Sequence, residues 1–324
     1  MLRKSFVILI MLVVFMASCS RKPDEQPQPK LTPVETATTV SKTKTVPKAK
    51  PSFIKKPKQK FATENKMKGL IKAISEGDKK AVEKILNKKP ELVNKSYGKG
   101  VQALHTAISE GNKDIVNLLI KKGADVDIIS IDDGSAPLHI AAVSGYTDII
   151  KILLSNGAKI NIKDKVGNTP LHWAMLDKKL EASKLLVKKG ADVNAKNNEG
   201  ITPIITAIEL RANDMTKLLL DNNAKINIKD MDGDTPLHMA SETEQKEIVK
   251  MLLDKGSKVD AKDVFSQTPL YWAVIKGNAD IVKMLIEKGA DVNAKTKNGK
   301  TVLQWANKKG YTEIAKILKK HGAK

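Results

Sequence analysis

One cysteine stands in 324 residues, so the chain cannot form an internal disulfide or a thiolate cluster of its own. Arginine is nearly missing, with 3 Arg against 54 Lys, and aromatics make up only 4%. The lysines are scattered and not interleaved with aromatics, which argues against a nucleic-acid interface. No phosphate-cradling glycine loop and no HExxH occurs. These absences point to a protein that is not an enzyme and needs no cofactor or metal. No apolar run is long enough to cross a bilayer as a helix; the longest, Phe6 to Ala17, suits the core of an export signal.

Acid is also scarce, and 57 basic against 36 acidic residues leave a net charge of +21. Residues 1–65 hold 13 basic and 4 acidic residues, a net +9. Seven of the 13 prolines lie between Pro23 and Pro57. Arg3 and Lys4 precede the apolar run, which ends Met16-Ala17-Ser18-Cys19-Ser20. That ending resembles a bacterial lipobox, except that Met16 replaces the usual leucine. The resemblance implies a signal peptide over 1–18, lipid attachment at Cys19, and an exported lipoprotein held to a membrane at the periplasm or cell surface. Cleavage near Ala17-Ser18 without lipidation is the alternative. Residues 19–65 are rich in Lys, Pro and Thr and poor in apolar groups, a composition that predicts a disordered linker. Lys55, Lys56, Lys58 and Lys60 could in principle contact an anionic surface.

Pro137, Pro170, Pro203, Pro236 and Pro269 stand 33 residues apart, each in a variant of one phrase: APLHIA, TPLHWA, TPIITA, TPLHMA, TPLYWA. A fixed period of this length means a solenoid, because one unit cannot bury its own apolar face. The phrase and period resemble the ankyrin repeat. The resemblance implies an all-α repeat solenoid of about eight units over 66–324, each a helix-turn-helix plus a hairpin loop. The anchor positions are Gly69, Ala103, the five prolines and Val302, with steps of 34, 34 and then 33. Units four, five and six carry Lys178, Arg211 and Glu244 where the others have a mid-unit glycine. Lys319 replaces an apolar position of the inner units, which predicts a polar cap at the end of the array.

Four of the five histidines, His105, His139, His172 and His238, fill the fourth place of the phrase. The resemblance implies that they bond neighbouring backbone. Spaced by whole repeats, roughly 10 Å apart, they could not share one Zn²⁺ with bonds of about 2 Å. Trp173, Trp272 and Trp305 are expected as packing between units.

Ankyrin proteins hold partners on the hairpin tips and on the exposed face of the first helices, so the resemblance implies a protein partner in a concave groove. Transferred to this chain, those places hold the apolar residues Val166, Leu176, Ile201, Leu210, Met231, Val264, Phe265 and Ile275, all expected to be exposed. They also hold Glu209, Asp232, Asp234 and Glu242, acids concentrated in units five and six, while unit eight is wholly basic there. The expected molecule is a monomeric, membrane-anchored binding module or scaffold of the bacterial envelope. A secreted nonlipidated effector and a structural protein gripping the envelope with its basic linker are the alternatives.

Overall fold

Each of the five period-marking prolines opens a helix. Proline suits the first helical position because its fixed φ is already helical and its missing N–H would have no partner there. The computed structural model describes residues 58–97 and 100–324. The signal segment, Cys19 and most of the linker lie outside the described residues. The repeats form a single contact unit, Thr63–Lys324.

Among the described residues, sixteen α-helices alternate short first helices with second helices, two per unit. Unit one pairs α1 (Lys58–Ser75) with α2 (Lys79–Lys88) and adds a 3₁₀ turn, Pro90–Leu92. Unit two pairs α3 (Ala103–Ser109) with α4 (Lys113–Lys121), and unit three α5 (Pro137–Ser144) with α6 (Thr147–Ser155). Unit four holds α7 (Pro170–Leu176) and α8 (Leu180–Lys188); unit five, α9 (Pro203–Glu209) and α10 (Asn213–Asp221). Unit six holds α11 (Pro236–Glu242) and α12 (Lys246–Asp254); unit seven, α13 (Pro269–Lys276) and α14 (Ala279–Glu287). Unit eight closes the array with α15 (Val302–Lys309) and α16 (Thr312–Lys320).

First helices pack on first helices and second on second, so the core runs unbroken from Met67 and Leu70 to Ile314 and Leu318. The apolar run of α6, which its helical spacing predicts as one buried stripe, is only partly enclosed: Ile149, Ile150 and Leu153 are buried, while Ile152 and Leu154 are half-exposed. Lys319 is exposed in α16, the last described helix, as expected of a polar cap.

One boundary differs. Helix α1 begins at Lys58, inside the segment 19–65 expected to be a disordered linker. Pro57 is the last proline of the linker, and no proline or glycine follows until Gly69, so a helix can start directly after it.

Three hydrogen-bonded ladders tie the units together. In the first, each His Nε2 meets the backbone carbonyl at the end of the next hairpin: His105 with Ser135 at 3.1 Å, His139 with Asn168 at 3.0 Å, His172 with Ile201 at 3.2 Å and His238 with Gln267 at 3.1 Å. The second runs along the unit exits, where an Asn or Asp side chain accepts from the backbone N–H 31 or 32 residues on. Asn94 takes Asp125, Asp127 takes Lys159, Asn161 takes Asp192, Asn194 takes Lys225 and Asn227 takes Lys258, all at 2.7–2.9 Å. The third ladder joins the hairpin tips and is described below.

The mid-unit turn needs a left-handed residue in every unit. Gly145 adopts φ 76°, and Lys178, Arg211 and Glu244 adopt φ 52°, 55° and 59°. A side chain there costs on the order of 1 kcal/mol. Arg211 offsets part of it by donating to the Thr243 carbonyl at 2.6 Å, and Glu244 by accepting from Asn278 at 3.5 Å. Lys178→Gly is therefore the substitution of the three expected to stabilise most, by about 1 kcal/mol. Thermal melts of the three single glycine variants check this; a lower melting temperature for Lys178→Gly would show that the left-handed turn there carries no strain cost.

Candidate functional site: the hairpin-tip ridge

Each hairpin from unit four to unit seven is shaped by one Asp or Asn at its start. Asp164 Oδ1 accepts from the N–H of Val166 at 3.0 Å and of Asn168 at 2.8 Å. Asn197 does the same for Glu199 and Ile201, at 3.0 and 2.9 Å. Asp230 holds Asp232 and Asp234 at 3.0 and 2.8 Å, and Asp263 holds Phe265 and Gln267 at 2.8 and 2.7 Å. An Asx side chain bonding its own backbone in this way fixes the turn without a strand ladder. Neighbouring tips are then linked through backbone: Lys165 N–H to Asp133, Asn198 to Val166, Met231 to Glu199, Val264 to Asp232 and Lys297 to Phe265, at 2.9–3.2 Å. The result is one continuous, backbone-bonded ridge across units three to eight.

The ridge carries large apolar side chains in solvent. Met231 is 72% exposed, Phe265 58%, Val166 44% and Val264 41%. Phe265 is the only phenylalanine after residue 61, so the single Phe of the array beyond its first helix stands outside its core. Asp232 is also exposed. These five sequence-predicted positions lie on the ridge as expected.

Four apolar candidates are not exposed. Leu176, Ile201, Leu210 and Ile275 are half-buried, and Ile201 and Ile275 pack against the core. Leu176 and Leu210 lie at the C-terminal ends of first helices, and Ile201 closes a hairpin. Asp234 is likewise corrected. It is buried, because its own backbone N–H and carbonyl close the hairpin on Asp230. Glu209 and Glu242 are half-exposed at the ends of α9 and α11. Lys276 lies 3.7 Å from Glu242.

Three exposed large apolar residues escaped the sequence reading: Val101 at 38%, ahead of α3, and Ile129 at 54% and Ile131 at 64% on the unit-three hairpin. For the isoleucines the signal was the run Ile128-Ile129-Ser130-Ile131 in a unit one residue longer than the standard period. The extra residue changes the turn: it is Asp133 whose Oδ1 accepts from Ser135 N–H and hydroxyl, at 2.9 and 2.7 Å.

The histidines are structural in geometry as well as in sequence position. Besides the Nε2 contact, His139, His172 and His238 accept at Nδ1 from the backbone N–H three residues earlier, at 3.0–3.1 Å. Thr169 and Thr235 hydroxyls reach the same Nδ1 at 2.9 and 2.8 Å. Burial strips water from the imidazoles and lowers all four pKa values below 6.5, His172 and His238 to about 4. Unit five has Ile205 in the histidine place, and the buried Thr202 hydroxyl there has no partner. The tryptophans are half-buried. Trp173 donates to Asp164 Oδ2 at 2.8 Å, whereas unit eight begins its hairpin with Thr296 and the Trp305 N–H is orphaned. Among the described residues no group of three or more His, Cys, Asp or Glu could hold a metal ion. No described helix is long and apolar enough to cross a membrane.

No curated protein matches the chain. The family profile for ankyrin repeats matches it over 70–164, 129–197, 171–263 and 256–324, overlapping segments that together cover the array. With the profile, the helix pairs and the histidine ladder in agreement, the chain belongs to the ankyrin-repeat family.

Proposed function

We infer that this array, like ankyrin repeats generally, is a protein-interaction module and not an enzyme. We propose that this one works as a binding module or scaffold held at a bacterial membrane through a lipidated Cys19, and that its partner docks on the hairpin ridge of units six and seven. The observation that carries the reading is the exposure of Met231, Val264 and Phe265 on adjacent, backbone-linked tips. An apolar patch of this kind on a rigid frame marks a recognition surface. Glu209 and Glu242 flank it and steer encounter more than they hold the complex.

The test uses the full-length chain and its Phe265→Ala variant as paired baits on envelope fractions. A partner retained by the first should bind the second about thirtyfold more weakly, the loss of roughly 2 kcal/mol expected for an aromatic anchor. The melting temperature should hardly move, because a substitution at an exposed tip usually changes stability by no more than about 0.5 kcal/mol. Equal retention by both baits would remove the ridge from the binding surface. Unfolding of the variant would make Phe265 a stabilising residue instead.

A further inference from the structure

Units six, seven and eight present three repeat-equivalent columns that change character in a fixed order. At the end of the first helix the column reads Glu242, Ile275, Lys308. On the tip it reads Asp232, Phe265, Asn298, and at the preceding position Met231, Val264, Lys297. Lys300 and Lys309 add to the basic end, and Lys297, Lys300, Lys308 and Lys309 are all exposed. Lys300 and Lys308 hold their ammonium groups 5.1 and 5.3 Å from the Trp305 ring centroid, which fixes two of these charges in place. The charge therefore shifts from acid on unit six to base on unit eight, with Val264, Phe265 and Ile275 between them on unit seven; the one base there, Lys276, lies 3.7 Å from Glu242 of its own chain.

We propose that the partner of this ridge is a second copy of the chain, in an antiparallel two-fold dimer whose axis crosses unit seven. An isologous interface must be self-complementary under its own rotation. Two copies facing each other with stacks reversed place unit six of one against unit eight of the other. Glu242 then faces Lys308 of the second copy, and Lys308 faces its Glu242. Phe265, Val264 and Ile275 meet their own equivalents on the axis. A parallel arrangement would instead set Lys308 against Lys308 and Glu242 against Glu242. The charge order along the ridge thus selects one of the two ways in which the faces can meet.

This inference rests on the ridge being the binding surface, and it replaces the monomer expected from the sequence. Sedimentation of the purified full-length chain over a concentration series tests it, with the Glu242→Lys and Lys308→Glu variants alone and mixed. The expected result is a salt-sensitive dimer that each single variant weakens at least about tenfold, since each creates two like-charge contacts. Mixing the two variants should restore association, because in the heterodimer both contacts join opposite charges again. A chain that stays monomeric up to about 100 µM overturns the proposal, as does a dimer that ignores both reversals or fails to recover on mixing. A monomer whose envelope partner still depends on Phe265 would overturn the dimer and leave the ridge reading standing. A dimer insensitive to charge reversal and to Phe265→Ala alike would overturn both.

Discussion

Acidification from pH 7 to 4.5 is expected to cost this array several kcal/mol of stability, most of it lost before ordinary carboxylates are half-protonated. The groups responsible are His105, His139, His172 and His238. Each is buried, each holds a carbonyl of the next hairpin, and burial lowers each pKa. For His172 and His238 the folded value is about 4 against 6.5 for the free imidazole. Above pH 6.5 folded and unfolded chains are both neutral at these sites, and the full stability is present. Between 6.5 and 4 the unfolded chain takes up a proton that the folded one refuses, so stability falls as pH falls. A difference of about 2.5 pH units corresponds to about 3 kcal/mol for each of these two residues, a large part of the 5–15 kcal/mol typical of a domain. Asp263 works against this trend, because burial raises its pKa. Asp148 and Asp280, lowered by Lys151 and Lys246, respond only at still lower pH. Melts at pH 7.5, 6.0 and 5.0 should show the loss, and His172→Gln should be less stable at pH 7.5 but flatter against pH by about 1.4 kcal/mol per unit. The same slope in the variant as in the parent would clear His172 of any part in the acid response.

The period of the prolines made the architecture readable, because each repeat asks for the same backbone at the same place. The left-handed turn is the clearest case. Five units place glycine there, and that alone foretold positive φ at Lys178, Arg211 and Glu244. The histidine ladder was readable for the same reason, with the partner carbonyl supplied by family resemblance. Exposure was less readable. Leu176, Leu210 and Ile275 sit in columns that the family resemblance marks as open, yet all three are half-buried, and one column of sequence does not report that. Asp234 looked like a surface acid because hairpins are polar; its burial follows from where the hairpin closes on itself. Ile129 and Ile131 were passed over because the unit-three hairpin departs from the template by one residue. The two left-handed residues Asn223 and Ser266 replace exit and tip glycines, and the 33-residue period shows both, against Gly190 and Gly256 and against Gly233 and Gly299.

Cys19→Ala is expected to move the protein from the membrane fraction to the soluble one. The expectation rests on residues outside those described: the basic Arg3 and Lys4, the apolar run to Ala17, and a sole cysteine placed directly after Met16-Ala17-Ser18. A run of that length is too short to hold the chain across a bilayer by itself. If the segment is removed at Ser18, retention falls to whatever the new terminus carries. Each buried CH₂ of an acyl chain contributes about 0.8 kcal/mol; one chain gives only marginal binding, and two or more give a stable anchor. Alanine at position 19 offers no thiol to acylate, so the anchor is lost whole. The linker lysines add about 1 kcal/mol each where they lie close to an anionic surface, a contribution that salt screens. The two sources of attachment separate in one fractionation. Protein released by Cys19→Ala at physiological salt marks the acyl anchor as dominant. Protein that leaves only when salt is raised marks the lysines. The mass of the mature N-terminus decides independently: an acylated cysteine is expected there, and an unmodified Cys19 in the mature chain would reject lipidation outright.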